Sequence, residues 1–138
     1  KHADEEVSIH HRVATGSDVL IDENGLQGLL RLGSGIEFFE ELVASFGRDV
    51  NNLIKKMRRA VRELDYPVLQ DGAHALRGSA SEFGACRLIN LCIKIKELKP
   101  YDMTGKKPAD LLEEVEQTFD SSRIILDEFA RQRREASR

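Results

Sequence analysis

The sequence predicts an all-α fold: an antiparallel up-down-up-down four-helix bundle with a short additional N-terminal helix. Four stretches carry apolar residues at every third or fourth position, and the connections between them are short, which makes consecutive helices antiparallel neighbours. No stretch alternates with a period of two, and no internal repeat or low-complexity tract competes with the helical pattern. Aromatic residues make up only 6% of the chain and Trp is absent, whereas Leu, Glu, Lys and Arg abound, which favours helix over sheet.

A length of 138 residues, 41% of them hydrophobic, suits one domain with a single core. The net charge of −3 argues against binding nucleic acid as a bulk polyanion. No apolar run approaches the roughly 18 residues needed to span a bilayer, and no signal-peptide pattern is present, so no membrane contact is expected of this domain. Cys86 and Cys92 lie about 240° apart on a helix, too far round to bridge within it or to pair as metal ligands. They read as small core hydrophobes in a reducing compartment, which makes the expected location cytoplasmic. The chain starts at Lys1 without an initiator Met and reads as a piece of something longer.

Residues 1–17 (KHADEEVSIHHRVATGS) show no sustained period and read as a flexible linker or tail, with the bundle domain spanning 18–138. His2, His10 and His11 fall in this tail without carboxylates or Cys at ligand spacing, so no metal site is expected there. From Asp22 to Leu32 a short helix is expected, with Asp22 as N-cap, Leu26, Leu29 and Leu30 turned inward, and Gly33-Ser34-Gly35 as its stop. It reads as a lid across one end of the bundle. Ser34 and Glu37 form a candidate capping box for the next helix. That helix, Ile36 to Leu64, is the longest amphipathic run, its stripe passing from Phe38, Phe39, Leu42, Val43 and Phe46 to Val50, Leu53, Ile54, Met57, Ala60, Val61 and Leu64. The spacing continues through Gly47, so one long helix is expected rather than two. Its other face carries a basic cluster of Lys55, Lys56, Arg58, Arg59 and Arg62.

Asp65-Tyr66-Pro67 ends this run and caps the next, which extends from Pro67 to about Phe83. Gly84 punctuates it before a further stripe of Leu88, Leu91, Cys92, Ile95 and Leu98. Residues 99–108 read as a loop. The last helix, Pro108 to about Arg134, presents Leu112, Val115, Phe119, Ser122, Ile125, Leu126 and Phe129, with acidic residues early and arginines late, as the helix dipole favours.

The residue that asks for a chemical explanation is His74. On the wheel of its helix, Leu69, Ala73, Leu76, Ala80 and Phe83 form a complete apolar stripe, and His74 points roughly 140° away from it. Gln70, Arg77, Gly78, Ser81 and Ala85 surround it. A lone His is ordinarily a core or rim residue bonded to a carbonyl, but here the core stripe is complete without it. A histidine that carries a phosphoryl group needs an exposed ring that is mostly neutral near pH 7, which an ordinary imidazole pKa of about 6.5 provides. It also needs a cation within reach, which Arg77 offers one turn on, and close approach by a partner. Gly78 leaves space one turn above the ring at a cost to helix stability, which suggests that clearance matters there.

His74-Ala75-Leu76-Arg77-Gly78-Ser79-Ala80 followed by Phe83-Gly84-Ala85 resembles the signature of the histidine-containing phosphotransfer (HPt) domain: His-x-Leu-Lys/Arg-Gly-Ser/Ala, then a large apolar residue and Gly. The upstream Phe38-to-Leu42 helix and the Asp65 turn are similar to that family too, and the likeness covers about residues 20–135. It implies that His74 is the phosphoacceptor, Arg77 the basic position that stabilises the phosphoryl group, and Gly78 the clearance for a receiver domain. Arg at position 77 departs from the commoner Lys, keeping the charge but changing its geometry.

The implied activity is a two-component phosphorelay. A receiver aspartate passes its phosphoryl group to His74 and a second receiver collects it, with Mg²⁺ supplied by the receiver's acidic pocket and no cofactor in this domain. The resemblance also implies a monomer acting as a phosphohistidine carrier without kinase activity. Its usual setting would be the C-terminal module of a bacterial hybrid sensor histidine kinase, and the style is similar to kinases that sense diffusible fatty-acid signals. That setting allows this domain to be the cytoplasmic part of a membrane-anchored kinase.

Two other readings compete. A sensor-kinase dimerisation domain also carries a phosphorylated His, but it normally has an acidic residue next to it and Thr/Asn-Pro soon after, where this chain has Ala75 and Gly78-Ser79. A helical adaptor that binds and restrains a partner protein would use the basic face at Lys55 to Arg62, with His74 regulatory or incidental.

Overall fold

The computed structural model describes residues 20–32 and 35–136, and these are all-helical. A short helix α1 (Glu23–Leu32) precedes four longer ones, α2 (Ile36–Arg62), α3 (Tyr66–Glu82), α4 (Cys86–Lys96) and α5 (Lys107–Ala136). Each bundle helix packs on its neighbour in sequence, and α5 closes the ring on α2. The expected bundle with its extra helix is the observed one. The tail at 1–17, the Ser34 cap and the side chains of Leu29 and Leu30 lie outside the described residues.

Local chemistry explains the boundaries. Asp22 caps α1, its Oδ1 accepting from the Asn24 N–H at 3.0 Å. At the start of α2 the cap position is taken by Gly35, with no side-chain bond. The long helix runs unbroken through Gly47, which is buried beneath the Arg123 guanidinium. Asp65 caps α3 by accepting from the Val68 N–H at 3.2 Å, with Pro67 in the first turn.

Helices α2 and α3 end in the same way. Asp65 N–H bonds to Ala60 C=O and Leu64 N–H to Val61 C=O, while Ala85 N–H bonds to Ala80 C=O and Gly84 N–H to Ser81 C=O. Both are Schellman turns that need a left-handed residue, Leu64 at φ 56° and Gly84 at φ 62°. Gly84 has no alternative, since a Cβ there would lie 2.9 Å from Asp22 Cβ. Leu64 occupies its turn at a cost of about 1–2 kcal/mol. The sequence reading is corrected at both ends of α2: Leu64, in the turn, is 54% exposed and Phe38, in the first helical turn, is 40% exposed, so neither belongs to the inward stripe.

The core is the predicted one along α3 and α4: Leu69, Ala73, Leu76, Ala80, Phe83, Leu88, Leu91, Cys92, Ile95 and Leu98 are all buried. On α5, Ile125 and Phe129 are half-buried and Thr118 and Ala130 join the interior. Helix α1 sits across the α3–α4 turn, with Ile21 and Leu26 buried and Asp22 N–H bonded to Gly84 C=O at 2.6 Å. The 99–108 loop contains a 3₁₀ turn, Pro100–Thr104, anchored inward by Met103.

Candidate functional site

Helix α3 has an inner stripe and an outer ridge, and the ridge carries the site. Tyr66, Gln70 and His74 follow one another at four-residue intervals along it. They meet α4 running the other way. Donors on α3 reach two carbonyls at the end of α4: that of Ile95, which also accepts from the Leu98 N–H at 3.1 Å, and that of Leu98 just beyond the helix. Tyr66 Oη donates to Leu98 C=O at 2.6 Å, and Gln70 Nε2 donates to Ile95 C=O at 2.8 Å. One turn on, His74 stands on the same ridge. Its imidazole is exposed and makes no hydrogen bond among the described residues.

Arg77 and Gly78 are exposed beside it, and a Cβ built on Gly78 would find no atom within 4 Å. Arg77 leans toward α4. Burial pushes the Cys92 thiol up to about 12, and the positive charge of Arg77 works in the opposite direction. Among the described residues Arg77 forms no ion pair. Ser81 Oγ donates back to Arg77 C=O at 2.8 Å, which keeps that small hydroxyl folded onto the helix. The expected ring around His74 therefore holds for Gln70, Arg77, Gly78 and Ser81. Ala85 is the exception: α3 has ended at Glu82, and Ala85 is fully buried at the start of α4.

The site is convex. His74 lines none of the open grooves of 380, 490 and 300 Å³ found along α4–α5 and α2–α5. A reacting partner would meet the ring as part of a surface. The inner face of the same helix is closely packed. Gly72, unnoticed in the sequence, brings α3 so close to α2 that a Cβ would lie 2.5 Å from Met57 Cγ. The Tyr66–Gln70–His74 spacing was the readable signal for the ridge, but which carbonyls it meets depends on the register of α4.

The basic cluster on α2 is divided. Arg58 is bidentate on Glu116 of α5, and Arg59 pairs with Glu63 in its own helix at 3.1 Å. This leaves Lys55, Lys56 and Arg62 in place of a five-cation surface. The thiols offer no reactive site either: burial, with the Asp22 charge, raises Cys86 as well.

With this geometry in place, similarity to known proteins decides the family. The family model described as the Hpt domain matches residues 41–129. The chain belongs to the Hpt domain family. It is 34% identical over 77 residues to the sensory/regulatory protein RpfC of Xanthomonas campestris pv. campestris, covering 56% of this chain and 11% of that one. Over 64 residues it is 36% identical to the histidine-containing phosphotransfer protein 5 of Arabidopsis thaliana, covering 44% of this chain and 41% of the relative. It thus spans about a tenth of the first relative and two-fifths of the second. The crystal structure of histidine-containing phosphotransfer protein B from Pseudomonas aeruginosa PAO1 superposes with a TM-score of 0.73 at 21% identity, covering 82% of this chain and 96% of that one. At that identity the likeness concerns the fold. As an Hpt domain, the chain is a phosphotransfer module of a phosphorelay, the kind of domain that works with receiver domains. Among the described residues no helix is long and apolar enough to cross a membrane.

Proposed function

We propose that His74 accepts a phosphoryl group from an aspartyl phosphate on one receiver domain and passes it to the aspartate of a second. The lone pair on the outward ring nitrogen, Nε2, attacks phosphorus. An N–P bond forms as the P–O bond to the aspartyl oxygen breaks, and the aspartate leaves as a carboxylate with the electron pair. The other ring nitrogen keeps its proton, and the return step reverses these roles. Arg77 would hold the phosphoryl oxygens by charged hydrogen bonds, and Gly78 would let the acidic pocket of the receiver, with its Mg²⁺, come down onto the ring. Among the described residues no three His, Cys, Asp or Glu side chains gather as a metal site of their own.

The observation that carries this reading is the exposed imidazole of His74 on an Hpt domain, beside an open glycine and a guanidinium that forms no ion pair among the described residues. The domain would act as a monomer without kinase activity, and the match to a tenth of the sensory/regulatory protein RpfC supports a place as one module of a longer sensory chain, such as the cytoplasmic part of a membrane-anchored kinase. The test mixes a receiver carrying labelled phosphate with the wild-type protein and with His74→Gln. Wild type should drain and retain the label, and the variant should do neither. Equal labelling of the two would refute the proposal.

A further inference from the structure

Helix α4 has a neighbour on either flank, and its side chains divide between them. Leu88, Leu91, Cys92, Ile95 and Leu98 make its buried stripe. Arg87, Asn90, Lys94 and Glu97 line the grooves toward α5. The opposite flank, toward α3, carries Ile89, Cys92 and Lys96 at three- and four-residue spacing. Lys94 and Lys96 are thus about 200° apart round the helix and leave it on opposite sides.

The register of the α3–α4 seam sets what Lys96 overlooks. The two helices run antiparallel: Gln70 reaches Ile95 C=O, and the Arg77 charge is felt at Cys92. His74 falls between Gln70 and Arg77 in sequence, so its turn of α3 runs alongside the last turn of α4, where Lys96 stands. Helical side chains lean toward the N-terminus of their own helix. In an antiparallel pair that carries the His74 ring and the Lys96 amine toward the same stretch of the seam. Lys96 is exposed, and neither it nor Arg77 forms an ion pair among the described residues. The chain has a net charge of −3, and its three grooves are lined by carboxylates such as Glu40, Glu97 and Glu114. The facing rows of α3 (Tyr66, Gln70, His74, Arg77) and α4 (Ile89, Cys92, Lys96) hold two cations and no carboxylate.

We infer that Lys96 is a second phosphoryl-binding residue: its ammonium meets the phosphoryl oxygens on His74 from α4, while Arg77 meets them from α3. This rests on the phosphoacceptor reading of His74. A phosphoryl group presents three oxygens and more than one negative charge, which leaves acceptor capacity beyond a single guanidinium. Arg77 supplies a planar fork on the same helix as the ring. Lys96 supplies a point charge on a flexible stem, able to follow the group as it moves between receiver and ring.

The experiment compares Lys96→Gln, Lys96→Arg and Lys94→Gln with wild type, using a receiver that carries labelled phosphate as donor. Each variant keeps a good helix former at an exposed site, so urea midpoints should agree. Lys96→Gln should slow transfer to His74 about two- to fivefold, the range of one exposed ion pair, and shorten the lifetime of the label by a similar factor once the receiver is removed. Lys96→Arg should restore both. Lys94→Gln removes the same charge from the other flank and should change neither. A cation that only draws the receiver in, or only complements the end of the helix, would act from either flank and leave the lifetime alone. Equal slowing in Lys94→Gln and Lys96→Gln, or an unaltered lifetime in Lys96→Gln, would overturn the inference and leave His74 as the acceptor. A wild-type protein that takes no label on His74 would overturn both.

Discussion

Two of the four seams of the bundle use different chemistry. Between α2 and α5, guanidinium forks grip carboxylates: Arg58 on Glu116 and Arg134 on Glu40, both bidentate. Between α3 and α4, neutral donors reach backbone carbonyls, Gln70 to Ile95 and Tyr66 to Leu98. The ionic seam neutralises its own charges. Glu116 and Glu40 sit below the ordinary carboxylate value because an arginine hydrogen-bonds each of them. On the neutral seam Arg77 forms no ion pair among the described residues and stands one turn from His74. The arginines of the ionic seam are committed to carboxylates, whereas Arg77, beside the proposed phosphoacceptor, forms no ion pair among the described residues.

The comparison breaks most visibly at Arg77. Arg77→Ala should slow transfer to His74 roughly tenfold or more, the scale of one charged hydrogen bond of about 1.5–3 kcal/mol. The lifetime of phospho-His74 should shorten with it. Stopped-flow transfer and label decay measure both, and an unaltered lifetime would remove Arg77 from the phosphate.

Two glycines of α3 sharpen the contrast between its faces. Gly72→Ala presses a methyl against the buried Met57, costing about 1–3 kcal/mol of overpacking against a gain of up to about 1 kcal/mol in helix propensity. Urea unfolding should show a net loss of stability. Gly78→Ala meets open space and should stabilise by up to about 1 kcal/mol, while Gly78→Gln should slow transfer strongly without loss of stability. A Gly78→Gln variant with a normal transfer rate would mean that clearance is not what this glycine supplies.

The ionic seam predicts the smallest effect. Both side chains of the Arg58–Glu116 pair are about two-fifths exposed, so Glu116→Gln should cost at most about 1 kcal/mol at pH 7. The folded-state pKa of Glu116 is lowered, so its contribution is present above its ordinary value of 4.5 and is lost as pH falls through the folded value. Urea midpoints of wild type and variant should therefore converge below about pH 4.5; a gap that persists in acid would point to packing instead of charge.

Much of this was readable in the chain. The period of the apolar residues placed α3 and α4 and their buried faces, because a helical stripe has one way to meet a core. The wheel also put His74, Arg77 and Gly78 on the exposed side. It misplaced Leu64 and Ala85, which lie beyond helix ends where a left-handed turn resets the direction of the side chains. Gly72 went unseen because a small residue in a stripe looks the same whether or not a neighbour presses against it. The Gln70 and Tyr66 bonds depend on the register between two helices, which a single-helix wheel does not contain. The division of the α2 basic cluster likewise needed α5 beside it.

The most direct test of the central claim is to locate the phosphate. The wild-type domain is charged from a phosphorylated receiver, digested at neutral pH and mapped by mass spectrometry, with the bond type checked by acid and alkali. The account predicts a single acid-labile, alkali-stable phosphate on His74. Phosphate on Ser79 or Ser81, or stable in acid, would contradict it.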